Sequence, residues 1–134
     1  FYGNFAEKDK DEVEIKDIVF EEFLDLLRLI YLGPAEITDR NVLHILKLGD
    51  RFQIERVVDL SVKYLTQSKG FDAANKLLIA DQYRLVSLKD HCLQSFTTLS
   101  DLMYHLNPEC FSNFSSEMKN AIYDRMFKIQ FPAT

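Results

Sequence analysis

The sequence predicts a mainly α protein, and three observations carry that reading. Apolar residues recur at spacings of three and four along most of the chain, glycine, proline and small polar residues break that pattern at intervals, and only one short stretch alternates with the period of two that a strand requires. The 134 residues have room for one ordinary domain, or for a small domain with an extension. With 47% apolar and 28% charged residues there is material for a packed core. The formal net charge of −5, from 16 basic and 21 acidic residues, argues against nonspecific binding to nucleic acid or to an anionic membrane. The acidic groups cluster at Glu7–Glu14 and Asp17–Asp25 and read as a solvated rim.

Val13–Gly33 organises the rest. Val13, Glu14 and Ile15 alternate as a short half-buried strand, which cannot be stable alone. After Asp17 comes a helix with two apolar stripes. Phe20, Phe23, Leu24, Leu27, Ile30 and Tyr31 form one, and Leu26 and Leu29 the other. A helix apolar on both sides needs two partners. Upstream, the aromatics of Phe1–Phe5 suit a helix end, and Ala6–Glu12 reads as a charged loop.

Gly33-Pro34 stops the central helix. Thr38 is placed to cap the next, whose stripe is Val42, Ile45, Leu46 and Gly49. Arg51–Gln53 connects it to a helix bearing Ile54, Val57, Val58, Ser61, Val62 and Leu65 on one face. So short a connection predicts a helical hairpin, expected to cover the longer stripe of the central helix. Ser68-Lys69-Gly70 is the best boundary in the chain, dividing residues 1–67 from 68–134. Beyond it, Ala73, Ala74, Leu77, Leu78 and Ala80 mark one helix, and Leu85, Leu88, Cys92 and Phe96 another. Ser100 is placed to cap a short helix that Pro108 ends. Ser115 caps the last, along Met118, Ile122, Met126 and Ile129, before a frayed end at Phe131–Thr134. The expectation is one strand and about seven helices.

No catalytic constellation emerges. His44, His91 and His105 lie on different predicted helices, and Cys92 and Cys110 form neither a CxxC nor a disulfide framework. The glycines build no phosphate cradle, and the eleven Phe and six Tyr do not sit among basic clusters. The reading is a non-catalytic protein with no cofactor and no metal. The cysteine usage, with no apparent leader and no stretch near the ~20 apolar residues of a membrane span, points to cytoplasm or nucleus. A start at Phe1 rather than Met reads as a piece of something longer.

Two motifs then make the sequence recognisable. Val13-Glu14-Ile15-Lys16-Asp17-Ile18, followed by Phe23, Leu26-Leu27, Ile30-Tyr31 and Gly33, resembles the strand, aspartate and helix in the middle of a BTB/POZ domain. Leu48-Gly49-Asp50-Arg51-Phe52-Gln53-Ile54-Glu55-Arg56-Val57 is similar to that family's helix hairpin. Past residue 67, Ala73-Ala74 with Leu77-Leu78-Ile79-Ala80-Asp81 resembles the cullin-binding box and BACK-like helices of speckle-type and nematode MATH–BTB substrate adaptors. The fold implied is the C-terminal part of a BTB/POZ domain, mainly α within an α+β parent, truncated at its N-terminus and followed by BACK-like helices.

The resemblance implies a protein–protein interaction module, part of a substrate adaptor for a cullin–RING ubiquitin ligase. Phe5-Ala6-Glu7 falls where such adaptors carry a hydrophobic–x–Glu motif that contacts the third cullin paralogue. Phe52 falls where the family presents an aromatic to the cullin, and Leu77 and Leu78 where a groove receives the cullin's N-terminal tail. An exposed aromatic beside a carboxylate is a usable anchor, because a few large groups dominate affinity at an interface. The elements preceding Phe1 in a complete domain of the family, including the dimerising helix, would pair the strand and cover Leu26 and Leu29. The full-length parent would homodimerise, and its substrate would bind through a domain outside this sequence. The alternative is a self-associating BTB scaffold without cullin, as in transcriptional regulation. An unrelated helical domain with a ligand pocket is a third reading, which the lack of a convergent polar cluster disfavours.

Overall fold

A computed structural model describes residues 19–132, and among these every regular element is helical. Eight α-helices follow in order: α1 (Phe20–Leu32), α2 (Val42–Arg51), α3 (Glu55–Gln67), α4 (Ala73–Tyr83), α5 (Val86–Ser95), α6 (Leu99–His105), α7 (Pro108–Phe111) and α8 (Ser116–Gln130). A 3₁₀ turn at Pro34–Glu36 joins α1 to the approach to α2. The strand expected at Val13–Ile15 lies outside the described residues, as do Phe1–Glu12, Asp17 and Ile18. The described residues fall into two compact units that divide within α3, between Ser61 and Val62.

The first unit is built on α1 against α2. Gly33 ends α1 at φ 99°, a backbone conformation that glycine adopts without strain, and its N–H donates to the Leu29 carbonyl at 2.9 Å. Pro34, lacking an N–H, opens the 3₁₀ turn. The helix buries the side opposite to the one expected. Leu26 and Leu29 are each only 2% exposed, whereas Phe20 is 70% and Tyr31 81% exposed. Phe23, Leu24 and Leu27 are half-buried. The reason lies in the flanks of the shorter stripe. Glu22 and Asp25 share its face at helical spacing, and α2 supplies their partners in His44 and Lys47.

Val42, Ile45, Leu46 and Leu48 of α2 are fully buried, and Gly49 is buried with them. Regular α-helix begins at Val42 rather than near Thr38. The Thr38 carbonyl accepts from the Val42 N–H at 3.0 Å, and the Asn41 side chain ties the preceding turn to Glu36 and Thr38. At the far end Gln53 takes a left-handed conformation, φ 57°, and reverses the chain into α3. On α3, Val57 and Ser61 are buried, with Ser61 Oγ donating back to the Val57 carbonyl.

The second unit begins along the same helix, where Leu65 is fully buried. The break expected at Ser68–Gly70 is a loop, held by Lys76 Nζ donating to the Ser68 carbonyl at 2.7 Å. Asp72 caps α4 by accepting from the Asn75 N–H. Arg84 (φ 57°) turns the chain in two residues, so α5 packs back on α4. Leu77, Leu88, Phe96, Leu102 and Ile122 lie at the centre of this unit. Thr98, not Ser100, caps α6, accepting from the Asp101 N–H. Pro108 does not merely end α6; it occupies the first turn of α7, behind an Asn107 cap. Ser115 caps α8 as its position predicts. Met118 and Ile122 are buried, and Met126 and Ile129 half-buried.

Candidate functional site

The Phe52 corner is formed where α2 runs out. The Phe52 N–H donates to the Leu48 carbonyl at 2.9 Å, continuing the helix for one more bond. The left-handed Gln53 then lets the Ile54 N–H return to the Gly49 carbonyl at 2.8 Å. These two bonds close the backbone of the corner from which the ring projects. Phe52 is 43% exposed, and the Arg51 guanidinium lies 5.9 Å from its ring centroid.

Beside the corner is an open hollow of about 430 Å³ lined by Gly49, Asp50, Gln53, Glu55, Val58 and Asp59. Three carboxylates, Asp50, Glu55 and Asp59, border it, while a guanidinium, that of Arg51, lies by the Phe52 ring.

The other residues singled out by resemblance fare differently. Leu78 on α4 is half-buried and has surface to offer. Leu77 is fully buried within the second unit and presents no surface; its place is in the core, where it supports α4. Phe5 and Glu7 lie outside the described residues. Phe52 belongs to the first unit, Leu77 and Leu78 to the second.

A polar cluster between α1 and α2 escapes a reading by sequence spacing. His44 Nε2 lies 2.9 Å from Asp25 Oδ2, and Nδ1 3.7 Å from Glu22 Oε2. Lys47 Nζ stands 3.6 Å from Glu22 Oε1, and Arg28 3.3 Å from Asp25 Oδ1. Glu22 and Asp25 therefore belong to a helix–helix joint, not to the solvated rim their sequence neighbourhood suggests. The only legible signal is their spacing of three, beside Leu26 and Leu29.

Among the described residues, no group of three or more His, Cys, Asp or Glu side chains is disposed to hold a metal ion. Burial pushes the Cys92 thiol up to about 11 despite the opposing charge of Lys76. Burial also raises Cys110, with the charge of Asp72 adding to the effect. Neither is an activated thiolate. No helix among the described residues is long and apolar enough to cross a membrane.

Comparison with known proteins places these features in a family. A profile of the BTB/POZ domain matches residues 1–69. "BTB and MATH domain-containing protein 38" of Caenorhabditis elegans is 39% identical over 129 residues, covering 96% of this chain and 33% of its own length. "BTB and MATH domain-containing protein 36" of the same organism is 34% identical over 129 residues, covering 96% and 40%. "Kelch-like protein 6" of Homo sapiens is 31% identical over 112 residues, 83% of this chain and 18% of that protein. The chain thus spans between a third and two fifths of the two nematode relatives. No solved structure matches it significantly. With the profile covering residues 1–69 of 134 and the Phe52 corner lying inside that match, the chain belongs to the BTB/POZ family.

Proposed function

We propose that this chain is the cullin-contacting part of a substrate adaptor for a cullin–RING ubiquitin ligase, working in the cytoplasm or nucleus and non-catalytic itself. In this reading residues 1–67 are the C-terminal part of the BTB/POZ domain. Residues 68–134 are the cullin-binding box and the start of a BACK-like region. The third cullin paralogue binds through Phe52, with Phe5 and Glu7 from the N-terminal segment and Leu78 from α4. Leu77 acts only by supporting Leu78 from the core. The longer parent homodimerises and holds its substrate through another domain. The chemistry belongs to the ligase that is recruited.

The observation that carries the proposal is the 43% exposure of Phe52 on a corner held by two backbone hydrogen bonds. The backbone beneath the ring is already ordered by those bonds, so docking need not order the turn, and an aromatic anchor on a pre-formed turn is efficient in affinity. The MATH-containing relatives support the choice of adaptor over other BTB roles. Titration of the chain with the N-terminal region of the third cullin paralogue, by calorimetry, tests it. Phe52→Ala is expected to weaken binding about tenfold or more, the scale of an aromatic hot spot. No binding by the intact chain, together with retained self-association of the full-length parent, would replace this reading with the self-associating scaffold.

A further inference from the structure

The outer side of α8 carries an aromatic stripe. Tyr123, Phe127 and Phe131 recur at every fourth residue, and each is more than half exposed. The Phe131 N–H donates to the Phe127 carbonyl at 2.8 Å, so the stripe keeps its helical line to the end, with those two rings 5.0 Å apart. At Tyr123 the stripe meets a groove of about 260 Å³ between α6 and α8. Leu102, Leu106 and Ile122 floor it, Met103, Phe111 and Tyr123 rim it, and none of the residues lining it is charged. With each exposed side chain offering roughly 100–150 Å², the three aromatics and Met103 present about 500 Å², a size at which an apolar patch often marks an interaction site.

Two features select a second copy of this chain as the occupant. The first is area: paired with itself, the patch would bury about 1,000 Å², which reaches the threshold of a specific, reversible interface. The second is charge. Asp124 and Lys128 stand one turn apart along one edge of the stripe, paired at 3.0 Å and both more than half exposed. A two-fold axis crossing α8 midway between them sets two helices antiparallel and face to face. It puts Asp124 opposite Lys128 of the second copy, and the reverse, so the edge is complementary to itself. The same operation brings Phe127 beside its own counterpart and Tyr123 beside Phe131 of the second copy, an apolar seam continuous with the groove. We propose that the second unit self-associates through α8 as an antiparallel two-fold dimer, its seam built from Tyr123, Phe127 and Phe131 and its register set by Asp124 and Lys128. The contact uses no residue assigned to cullin binding, so it stands or falls apart from that reading.

Sedimentation equilibrium of the whole chain, from about 1 to about 500 μM, tests this. The average mass is expected to climb from 15.7 kDa towards twice that value, with a midpoint in the micromolar range of a small interface. Phe127→Glu, at a position exposed in the single chain, should leave the far-UV circular dichroism unchanged and weaken association at least about tenfold. Asp124→Lys and Lys128→Asp should each weaken it by setting like charges across the axis, and the double exchange should restore it. Tyr31→Ser, on the exposed side of α1, is the control and should leave the association as it was. A monomer at every concentration, association that Phe127→Glu leaves intact or Tyr31→Ser abolishes, or a double exchange no better than the single ones overturns the proposal.

Discussion

Gly49 and Val57 meet so closely that a Cβ built on Gly49 would lie 2.7 Å from Val57 Cγ1. The same carbon would sit 3.2 Å from Val57 Cβ and 3.3 Å from Val58 Cγ2. Val57 is buried and β-branched, so it has neither the space nor the rotamers to withdraw. The glycine lets α2 and α3 approach, and this approach sets the corner that displays Phe52.

Gly49→Ala is therefore expected to destabilise the chain although alanine is the better helix former. Overpacking of about 1–3 kcal/mol outweighs a propensity gain of at most about 1 kcal/mol. The net loss should appear as a lower midpoint in urea denaturation. Val57→Ala in the same background should restore part of it, because the clash is with that side chain. A Gly49→Ala chain as stable as the parent would show that α3 shifts freely against α2.

Ser115 does two jobs at the start of α8. Its Oγ accepts from the Met118 N–H at 3.1 Å and donates to Asp81 Oδ1 at 2.6 Å, while its N–H donates to Asp81 Oδ2 at 2.7 Å. The carboxylate from α4 thereby sits at the positive end of α8. Ser115→Ala loses both the cap and the hydroxyl bond and should cost about 1–2 kcal/mol. Asp81→Ala should cost less, because the cap remains. A double-mutant cycle by thermal denaturation should give a coupling of about 0.5–1 kcal/mol, since the backbone bond to Asp81 survives in Ser115→Ala.

Cys92 should be inert while the chain is folded. Its thiol, raised to about 11 by burial, stays neutral at pH 8, and neutral thiols are poor nucleophiles. Iodoacetamide at pH 8 should label the less buried Cys110 first and reach Cys92 only when denaturant opens the second unit. The sign of the pH effect follows, since the folded-state value exceeds the unfolded one. The contribution to stability is complete below the ordinary cysteine range and is lost as pH climbs from there towards about 11. Equal labelling of both cysteines under native conditions would contradict the burial.

Much of the architecture is legible along the chain. The α2 stripe at Val42, Ile45, Leu46 and Gly49 is buried as its spacing requires. Gly33 ends α1, and Ser115 caps α8. These are local effects, since a helical period, a positive φ and a capping oxygen each act within a few residues. Thr98 replaced Ser100 as a cap because two polar residues within a turn compete, and the geometry of the preceding turn decides between them. The tight connection at Arg51–Gln53 was legible from the break between two apolar stripes. Leu77 was not, because a leucine on an apolar stripe looks the same whether it faces a partner or the core.

The central helix draws the line most clearly. From the sequence alone came its existence, its end at Gly33 and its two apolar stripes. The tertiary structure decided which stripe meets α2, choosing Leu26 and Leu29 and leaving Phe20 and Tyr31 outside. The physical reason is pairing at a distance. The shorter stripe is flanked by Glu22 and Asp25, and their partner His44 lies nineteen residues past Asp25 in sequence but 2.9 Å from it in space. Periodicity counts apolar residues on one helix; it carries no information about the charges that a neighbouring helix will bring to meet them.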